Sequence, residues 1–273
     1  MNATGDNTSS GKSWKRAAEM LVAQRLSLAP IKPLPQTLRP HDETEAYALQ
    51  AEVNRLLAKA GLGRQAGHKI GCTTPVMQAF LGIPNPCAGV IFEKAVLRRS
   101  GRIPRSGFVK LGIECEIAVE LARDIGPEDA PFTRGSVAPA VGAVMAAIEI
   151  VDDRYADYRT LGVPTLIADS FFDSGCVLGD PVTYWKDLEL TRLSGTTTIN
   201  GAEVGRGTGA LVMGHPFEAL AWLARSRLKH GLGPLRAGEF VLLGSVVETK
   251  WLEAGDAARI EIEKLGALDL QVE

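Results

Sequence analysis

The sequence predicts an α+β fold in which a small helical region precedes a larger, mainly β domain. Three observations support this class. Two segments near the N-terminus space their apolar residues as amphipathic helices do, with prolines between them. From His68 onward, short β-rich runs alternate with glycine and proline breaks. These runs do not alternate regularly with helices, which argues against a doubly wound parallel sheet.

The N-terminal region is expected to comprise a tail and two helices. Residues 1–12 are polar, lack the apolar core of a signal peptide, and predict a disordered tail. Apolar spacing over Ser13–Leu28 predicts a first helix, which a proline-rich extended linker ends. A second helix is predicted from a cap at Asp42 or Thr44 through about Ala60, where a glycine ends it.

The β domain is expected over residues 67–273, which leaves residues 13–66 for the helical region. The predicted strands share β-rich composition and flanking turn residues, and they include Lys69–Cys72, Gly89–Phe92, Ile113–Leu121, Val177–Leu178 and Phe240–Leu243. Two helical stretches are expected among them. One lies around Val137–Ala147, and the other runs from Pro216 to Lys229 with an apolar stripe.

Composition narrows the classes of function. Of 273 residues, 45% are hydrophobic and 23% are charged, which is ordinary for a globular protein with a sizeable core. The formal net charge of −2 lacks the basic footprint of a nucleic-acid binder. No apolar run reaches the roughly 18 residues that a membrane-spanning helix needs. The four cysteines lie far apart without a C-x-x-C pair, so they are interpreted as reduced thiols of a cytoplasmic protein.

The strongest chemical signal is a pair of glutamates in the predicted strand Gly112–Leu121. Side chains of a strand alternate between its two faces, so Glu114 and Glu116 lie side by side on one face. The apolar residues between them point to the opposite face and towards a core. A solvated strand face is the alternative interpretation of this segment taken alone.

A third carboxylate changes that balance. Glu149 lies within Val144–Val151, a run that is otherwise apolar. An isolated buried carboxylate costs several kcal/mol unless it is paired or binds a metal. One interpretation is a salt bridge to a lysine or arginine. The other is a hard divalent cation held by three carboxylates, for which oxygen ligands favour Mg²⁺ or Mn²⁺ over zinc.

Beyond these residues, short motifs occur along the chain in a fixed order. They are Gly67–Thr73 (GHKIGCT), Met77-Gln78, Leu81–Ile83 (LGI), Ile113–Ala118 (IECEIA), Ile148–Arg154 (IEIVDDR), Ile167–Asp169 (IAD), Gly205–Gly207 (GRG), Gly214–Pro216 (GHP) and Leu235–Gly238 (LRAG). In these motifs and their order, the chain from about Asp42 to its end resembles the 2-keto-4-pentenoate hydratase group of the fumarylacetoacetate hydrolase superfamily. No single motif is decisive, but the ordered set is highly specific.

The resemblance implies a compact β-roll with a mixed sheet, a small N-terminal helical part and a homo-oligomeric assembly. It also implies that Glu114, Glu116 and Glu149 bind Mg²⁺ or Mn²⁺. Lys69 matches the family's active-site lysine and is the expected catalytic residue; without the resemblance it would be interpreted as a surface lysine at a strand start.

Three further motif residues are not expected to be catalytic. His68 is interpreted as a structural neighbour of Lys69, and His215 as the opening of a helix. The segment Gly205–Gly207 lacks the lysine and flanking pattern of a phosphate-binding loop, so it is expected to form a turn near the mouth of the site.

The function implied by the resemblance is that of a metal-dependent hydro-lyase. Such an enzyme adds water to the 2-oxo-enoate formed from a 2-hydroxy-2,4-dienoate, giving a 4-hydroxy-2-oxo acid in the catabolism of aromatic-derived compounds. Lys69 would supply or orient a proton, or steady the enolate charge. One alternative is a vinylogous decarboxylase of 2-oxo-3-enedioates. The other is a non-catalytic partner subunit in a complex with a related decarboxylase or hydratase.

Several departures from the family pattern bear on the substrate. Pro84 and Cys87 stand where acidic residues are expected, so the loop Ile83–Gly89 is predicted to be stiff and to face the pocket. Ser170, Phe171 and Phe172 replace the smaller family sequence Asn-Ala-Ser and should make the pocket narrower or more apolar. The segment Leu243–Lys250 is also atypical. These changes favour a substituted or aromatic-derived 2-oxo acid. A second carboxylate is disfavoured unless a cation meets it, the candidates being Arg154, Arg206 and Lys250.

Overall fold

The computed structural model describes residues 10–273, apart from the side chains of residues 10–13 and of residue 80. Most of the expected tail, residues 1–9, lies outside the described residues. The described helices are α1 (Ser10–Leu26), α2 (Glu43–Leu57), α3 (Pro75–Leu81), α4 (Arg134–Val137), α5 (Val163–Ala168) and α6 (Pro216–Lys229). The described strands are β1 (Gln65–Gly71), β2 (Cys87–Phe92), β3 (Val96–Arg98), β4 (Ser100–Ile103), β5 (Leu111–Leu121), β6 (Val141–Asp152), β7 (Asp173–Leu178), β8 (Ser194–Ile199), β9 (Ala202–Thr208), β10 (Phe240–Trp251), β11 (Ala257–Ile262) and β12 (Gly266–Val272).

The two N-terminal helices lie close to their predicted bounds. The side chain of Asp42 caps α2 by accepting a hydrogen bond from the Glu45 backbone N–H at 2.9 Å. Beyond α2, Gly61 adopts a φ of +109°, a conformation that ends the helix there. The two helices pack on each other, and α2 also packs on α5. Within this contact, the Gln50 amide donates hydrogen bonds to the carbonyls of Ala88 and Ile167.

The strands form one mixed sheet in the order β2-β1-β10-β5-β6-β7-β3-β4-β12-β11-β8-β9. Parallel pairing occurs between β1 and β10, β3 and β7, and β4 and β12. The sheet curls so that β8 and β9 pack back against β10, while β11 and β12 pack against β6. This arrangement is a β-roll, and it confirms the α+β class with a mixed sheet. None of the helices within residues 10–273 is both long and apolar enough to cross a membrane.

The helix expected around Val137–Ala147 is wrong. Arg134–Val137 is α-helical and Ala138–Ala140 forms a short 3-10 turn, whereas residues from Val141 onward form β6. This strand is hydrogen-bonded on one side to β5 and on the other to β7. Nearly all of its side chains are buried, so the sequence shows no alternation of polar and apolar residues by which a strand would be recognised.

The turn expected at Gly205–Gly207 is also wrong, because these residues lie inside β9. The glycines serve the close approach of β9 to β10. A Cβ atom at Gly207 would overlap the Val246 carbonyl oxygen, and one at Gly205 would overlap a methyl group of Val247. These glycines therefore indicate close packing between two strands rather than a turn.

The four cysteines are buried free thiols, as the sequence predicted. They are Cys72, Cys87, Cys115 and Cys176. Burial raises the pKa of each thiol above its ordinary value, so each stays protonated at neutral pH. They behave as small apolar groups in the core.

Candidate active site

The site is built on two adjacent central strands. In the antiparallel pair β5–β6, Glu114 lies directly opposite Glu149, and Glu116 lies opposite Ala147. One carboxylate oxygen from each of the three glutamates lies within 4.8 Å of the others. The structure thus brings together the three residues that the sequence singled out. Glu116 and Glu149 are 0% exposed, whereas Glu114 is partly exposed.

The hydrogen bonds of the three carboxylates are incomplete. Gly244 donates its backbone N–H to Glu116 Oε2 at 2.8 Å, and the Thr249 hydroxyl donates to Glu114 Oε1. Within the described residues, Glu116 Oε1 and both oxygens of Glu149 accept no hydrogen bond of good geometry. Buried carboxylate oxygens without donors are rare, and they indicate an ion or ligand that would complete the site.

Lys69 is the cation of the site. It is only 3% exposed, and its Nζ lies 2.9 Å from Glu149 Oε1, an ion pair whose alignment is poor for a hydrogen bond. The same ammonium donates to the Phe171 carbonyl at 2.9 Å. The salt-bridge interpretation of Glu149 is therefore correct as far as it goes. However, one ammonium balances one of three carboxylates, which leaves an excess of two negative charges.

The electrostatics of the cluster follow from this imbalance. Burial, assisted by the neighbouring carboxylates, raises the pKa of Glu116 well above its ordinary value. Burial also raises the pKa of Glu149, against the opposing attraction of Lys69. Burial by itself would lower the pKa of the Lys69 ammonium, but the attraction of Glu149 and Glu114 outweighs it and raises that pKa. Lys69 therefore stays charged at neutral pH.

A left-handed turn holds the carbonyl that Lys69 contacts. Ser170, Phe171 and Phe172 have φ angles of 58°, 50° and 67°. Each non-glycine residue in this region costs roughly 1–2 kcal/mol, so the turn requires support from its surroundings. Arg154 supplies it by donating to the Phe172 carbonyl at 3.3 Å and to Asp169 Oδ2 at 2.7 Å.

A cavity of about 420 Å³ opens from the cluster. Lys69 and Glu114 lie at its inner end, and Asp153 and Glu248 also line it. Its apolar and aromatic walls are formed by Met77, Leu81, Val151, Tyr158, Phe171, Phe172, Leu211 and Trp251. The expectation that Phe171 and Phe172 make the pocket apolar is consistent with this lining.

The expectation that the loop Ile83–Gly89 faces the pocket is wrong. All seven residues are described, and none of them lines the cavity. The segment instead runs into β2, where Cys87 is fully buried. Only Gly89 approaches the site, from behind: a Cβ atom there would lie 3.1 Å from Lys69 Cγ and 2.5 Å from the Ser170 carbonyl oxygen. Helix α3, rather than this loop, forms part of the cavity wall through Met77 and Leu81.

The two motif histidines lie apart from this chemistry. His68 is buried on the face of β1 opposite Lys69, with its Nε2 3.3 Å from Glu239 Oε2. His215 is the N-cap of α6, and its Nδ1 accepts a hydrogen bond from the Phe217 N–H at 3.0 Å. The expectation that both are structural is in keeping with these contacts.

The three candidate cations for a second substrate carboxylate are engaged elsewhere. Arg154 is buried against Asp169, Arg206 pairs with Glu203 at 2.6 Å, and Lys250 pairs with Glu248 at 2.6 Å. Among the described residues that line the cavity, Lys69 is the sole cation. None of the three therefore offers the cavity a cation that a second substrate carboxylate would need.

Three residues of the site have no counterpart among the sequence predictions. Gly244 and Thr249 lie on β10, in the segment that was noted as atypical without an assigned role. Asp153 follows β6 inside the IEIVDDR motif, and its Oδ1 is buried without a hydrogen-bond partner among the described residues. Their roles depend on the register of β10 and on where the cavity opens.

Comparisons with known proteins identify relatives along most of the chain. The family model described as fumarylacetoacetate (FAA) hydrolase C-terminal matches residues 77–273. A 2-keto-4-pentenoate hydratase of Paraburkholderia phymatum is 35% identical over 252 residues, covering 92% of this chain and 94% of its own. Another, from Burkholderia vietnamiensis, is 34% identical over 87% of this chain and 89% of its own.

A solved structure shares the fold along nearly the whole chain. It is the 4-oxalocrotonate decarboxylase from Pseudomonas putida G7, complexed with magnesium and adipate, with a TM-score of 0.89. It is 23% identical, and the match covers 98% of this chain and all of the other. The family model and the sequence relatives establish that the chain belongs to the fumarylacetoacetate hydrolase family.

Proposed function

We propose that the protein is a divalent-metal-dependent hydratase. It would convert a 2-hydroxy-2,4-dienoate, through its 2-oxo-enoate tautomer, into a 4-hydroxy-2-oxo acid in the breakdown of aromatic-derived compounds. The observation that carries the proposal is the cluster of three buried or half-buried carboxylates at the inner end of an apolar cavity, in which Glu116 Oε1 and Glu149 Oε2 have no donor among the described residues. Relatives that are at least 30% identical and named 2-keto-4-pentenoate hydratase support it.

The residues present fit a hard divalent cation. Glu114, Glu116 and Glu149 offer only oxygen atoms, and the excess of two negative charges beside Lys69 matches the charge of the ion. Mg²⁺ and Mn²⁺ prefer such oxygen ligands. The magnesium in the related decarboxylase structure is consistent with this choice. We propose Mg²⁺ or Mn²⁺ as the resident ion.

When bound, the cation would supply Lewis-acid stabilisation of negative charge on the 2-oxygen of a 2-oxo acid. Lys69 would stay an ammonium and direct an N–H that Glu149 and Phe171 do not occupy towards the cavity. It would therefore hold negative charge on the substrate or deliver a proton, and it would not act as a nucleophile. The phenylalanines of the left-handed turn would keep bulk water from the dienoate tail.

Vinylogous decarboxylation of a 2-oxo-3-enedioate is the second candidate. The fold similarity to 4-oxalocrotonate decarboxylase favours it, because the two reactions share the same metal-bound head group. The lining of the cavity opposes it, because Lys69 is the sole cation among the described lining residues and already pairs with Glu149. A non-catalytic subunit is the third candidate, and the intact cluster with its lysine argues against it.

The compartment and the assembly are parts of the same proposal. Four buried free thiols suit a reducing compartment, so we propose a cytoplasmic enzyme. We also propose a homo-oligomer, with a complex with a related decarboxylase or hydratase as the alternative. Large apolar side chains on the surface, such as Leu26 and Tyr184, would be covered in such an assembly. Light scattering on the purified protein, alone and mixed with a related decarboxylase, tests both.

The decisive experiment is turnover by the purified protein. The enzyme would be stripped with EDTA, reloaded with Mg²⁺ or Mn²⁺, and given a 2-hydroxydienoate or a 2-oxo-enedioate. We expect loss of the dienoate absorbance with gain of water, identified by mass spectrometry. Release of CO₂ from the enedioate at the higher kcat/KM would favour the decarboxylase instead. Full activity in EDTA would overturn the metal-dependent mechanism.

A further inference from the structure

We infer that the outer end of the cavity selects substrates by charge: Asp153 and Glu248 admit an uncharged, apolar tail and exclude a second carboxylate. This inference deepens the proposed function and rests on it. It assigns a specificity role to two residues that do not belong to the carboxylate cluster.

The inner end of the cavity can balance one negative charge of a substrate. The three glutamates are balanced by Lys69 together with a divalent cation, so the loaded cluster is neutral. The single carboxylate of a 2-oxo acid would then bring one net negative charge, which the adjacent cation and ammonium attract. A second carboxylate would have to be neutralised elsewhere along the cavity.

The strand geometry places Asp153 at the far end. Glu149 and Val151 share one face at the end of β6, Asp153 follows directly after the strand, and both Val151 and Asp153 line the cavity. At about 3.3 Å per residue, Asp153 lies roughly 13 Å along the chain from Glu149. That is beyond the reach of the 2-oxo acid head group, so Asp153 would face the substrate tail.

The charges at this end are acidic. Asp153 is 15% exposed, and its Oδ1 has no hydrogen-bond donor among the described residues. Glu248 lies at the exposed rim with its carboxylate 2.6 Å from Lys250 Nζ. Like charges brought together cost enough to weaken binding by tenfold or more, on the order of the penalty seen at mismatched interfaces.

Two nearby lysines, Lys110 and Lys250, reduce the negative charge of Asp153 and Glu248, but neither of them lines the cavity. Lys110 Nζ lies 3.7 Å from Asp153 Oδ2 and 4.1 Å from the centre of the Trp251 ring. It does not line the cavity. Lys110 therefore offsets part of the Asp153 charge without offering a binding site to a carboxylate inside the cavity.

The size and walls of the cavity indicate the kind of tail. The simplest pentadienoate has about eight non-hydrogen atoms and would fill roughly 150 Å³ at protein packing density. The cavity has about 420 Å³, so most of it lies beyond such a substrate. Tyr158, Phe172 and Trp251 line it, and aromatic walls suit an apolar or aryl substituent.

Binding of two unreactive analogues tests the inference without turnover. Affinities of 2-oxo-4-phenylbutanoate and 2-oxohexanedioate would be measured by calorimetry on the Mn²⁺-loaded protein. We expect the phenyl compound to bind about tenfold tighter or more. In Asp153→Asn, which keeps the shape and removes the charge, we expect that ratio to fall about tenfold. Glu248→Gln, at the exposed rim, should reduce it by a smaller factor and serves as a second variant.

Controls separate this inference from the proposed function. Glu263→Gln changes an exposed glutamate in the turn after β11 and should leave both affinities unchanged. Equal or tighter binding of the dicarboxylate to the unmodified protein would overturn the charge selection, as would an unchanged ratio in both variants. If neither analogue binds, the cavity is not a 2-oxo acid site, and both ideas fail. A confirmed preference without hydration of any dienoate would overturn the proposed function alone.

Discussion

The buried pair of Arg154 and Asp169 should control both stability and activity through the left-handed turn. Asp169 Oδ2 accepts hydrogen bonds from Arg154 at 2.7 Å and from the Tyr155 hydroxyl at 3.0 Å. In Asp169→Asn the shape stays the same, but the buried guanidinium loses a charge partner. Breaking a buried ion pair on one side costs about 3–5 kcal/mol.

The backbone strain of the left-handed turn gives a second measure of the stabilisation that this ion pair must provide. Three consecutive left-handed residues at about 1–2 kcal/mol each store roughly 3–6 kcal/mol, which their surroundings must offset. Loss of the Asp169 charge should therefore loosen the turn and withdraw the Phe171 carbonyl from Lys69. For a chain of this size, a loss of 3–5 kcal/mol lowers Tm by roughly 10 °C.

The assay combines thermal unfolding, followed by circular dichroism, with steady-state kinetics below the melting temperature of the variant. We expect a lower Tm together with a lower kcat, since the displaced carbonyl would release Lys69. Asp180→Asn is the matched control, because the Arg99–Asp180 pair is close, at 2.8 Å, and both of its side chains are exposed. Exposed pairs contribute about 0–1 kcal/mol, so Tm should barely change there. Equal Tm shifts in the two variants would refute the argument from burial.

The remaining predictions concern the cluster itself. Glu116→Gln should weaken metal binding and abolish turnover, and calorimetric titration with Mn²⁺ checks this; wild-type affinity would remove Glu116 from the ligand set. Lys69→Met should lower kcat by about 10²-fold or more, the usual scale for losing a proton-transfer group, while Mn²⁺ still binds. Loss of the metal in that variant would indicate a structural role for Lys69. Gly244→Ala should reduce metal affinity, because its Cβ would lie 2.5 Å from Thr73 Oγ1 and would displace the N–H that holds Glu116. Gly266→Ala also substitutes a glycine of positive φ but has open space around it, and it should leave the metal affinity unchanged.

Where local pattern is sufficient, the sequence predicted the structure well. The cap of α2 at Asp42 and the extent of α6 followed from side-chain chemistry and apolar spacing, which act within a few residues. The shared face of Glu114 and Glu116 followed from the two-residue period of a strand. The need of Glu149 for a partner followed from the cost of burying a charge in an apolar run.

Where contacts between distant segments decide, the sequence predictions were incomplete or wrong. Residues from Val141 onward form a strand because β5 and β7 hydrogen-bond to its two edges. Both faces of this strand are buried, so its sequence lacks the alternation of polar and apolar residues that would identify a strand. The glycines of β9 allow this strand to pack closely on β10, a contact that no local sequence pattern predicts. The loop Ile83–Gly89 turned away from the cavity because it enters a buried strand.

The sequence by itself determined which side chains form the candidate site, namely the three glutamates and Lys69, and the strand period that aligns two of the glutamates. Only the tertiary structure decided how they meet. The antiparallel register sets Glu114 against Glu149, and parallel pairing of β1 with β10 carries Lys69 to the same face. The same fold brings Asp153 to the lining of the cavity. Residue type and spacing are local properties, whereas register and cavity shape arise from packing among strands that are far apart in the chain.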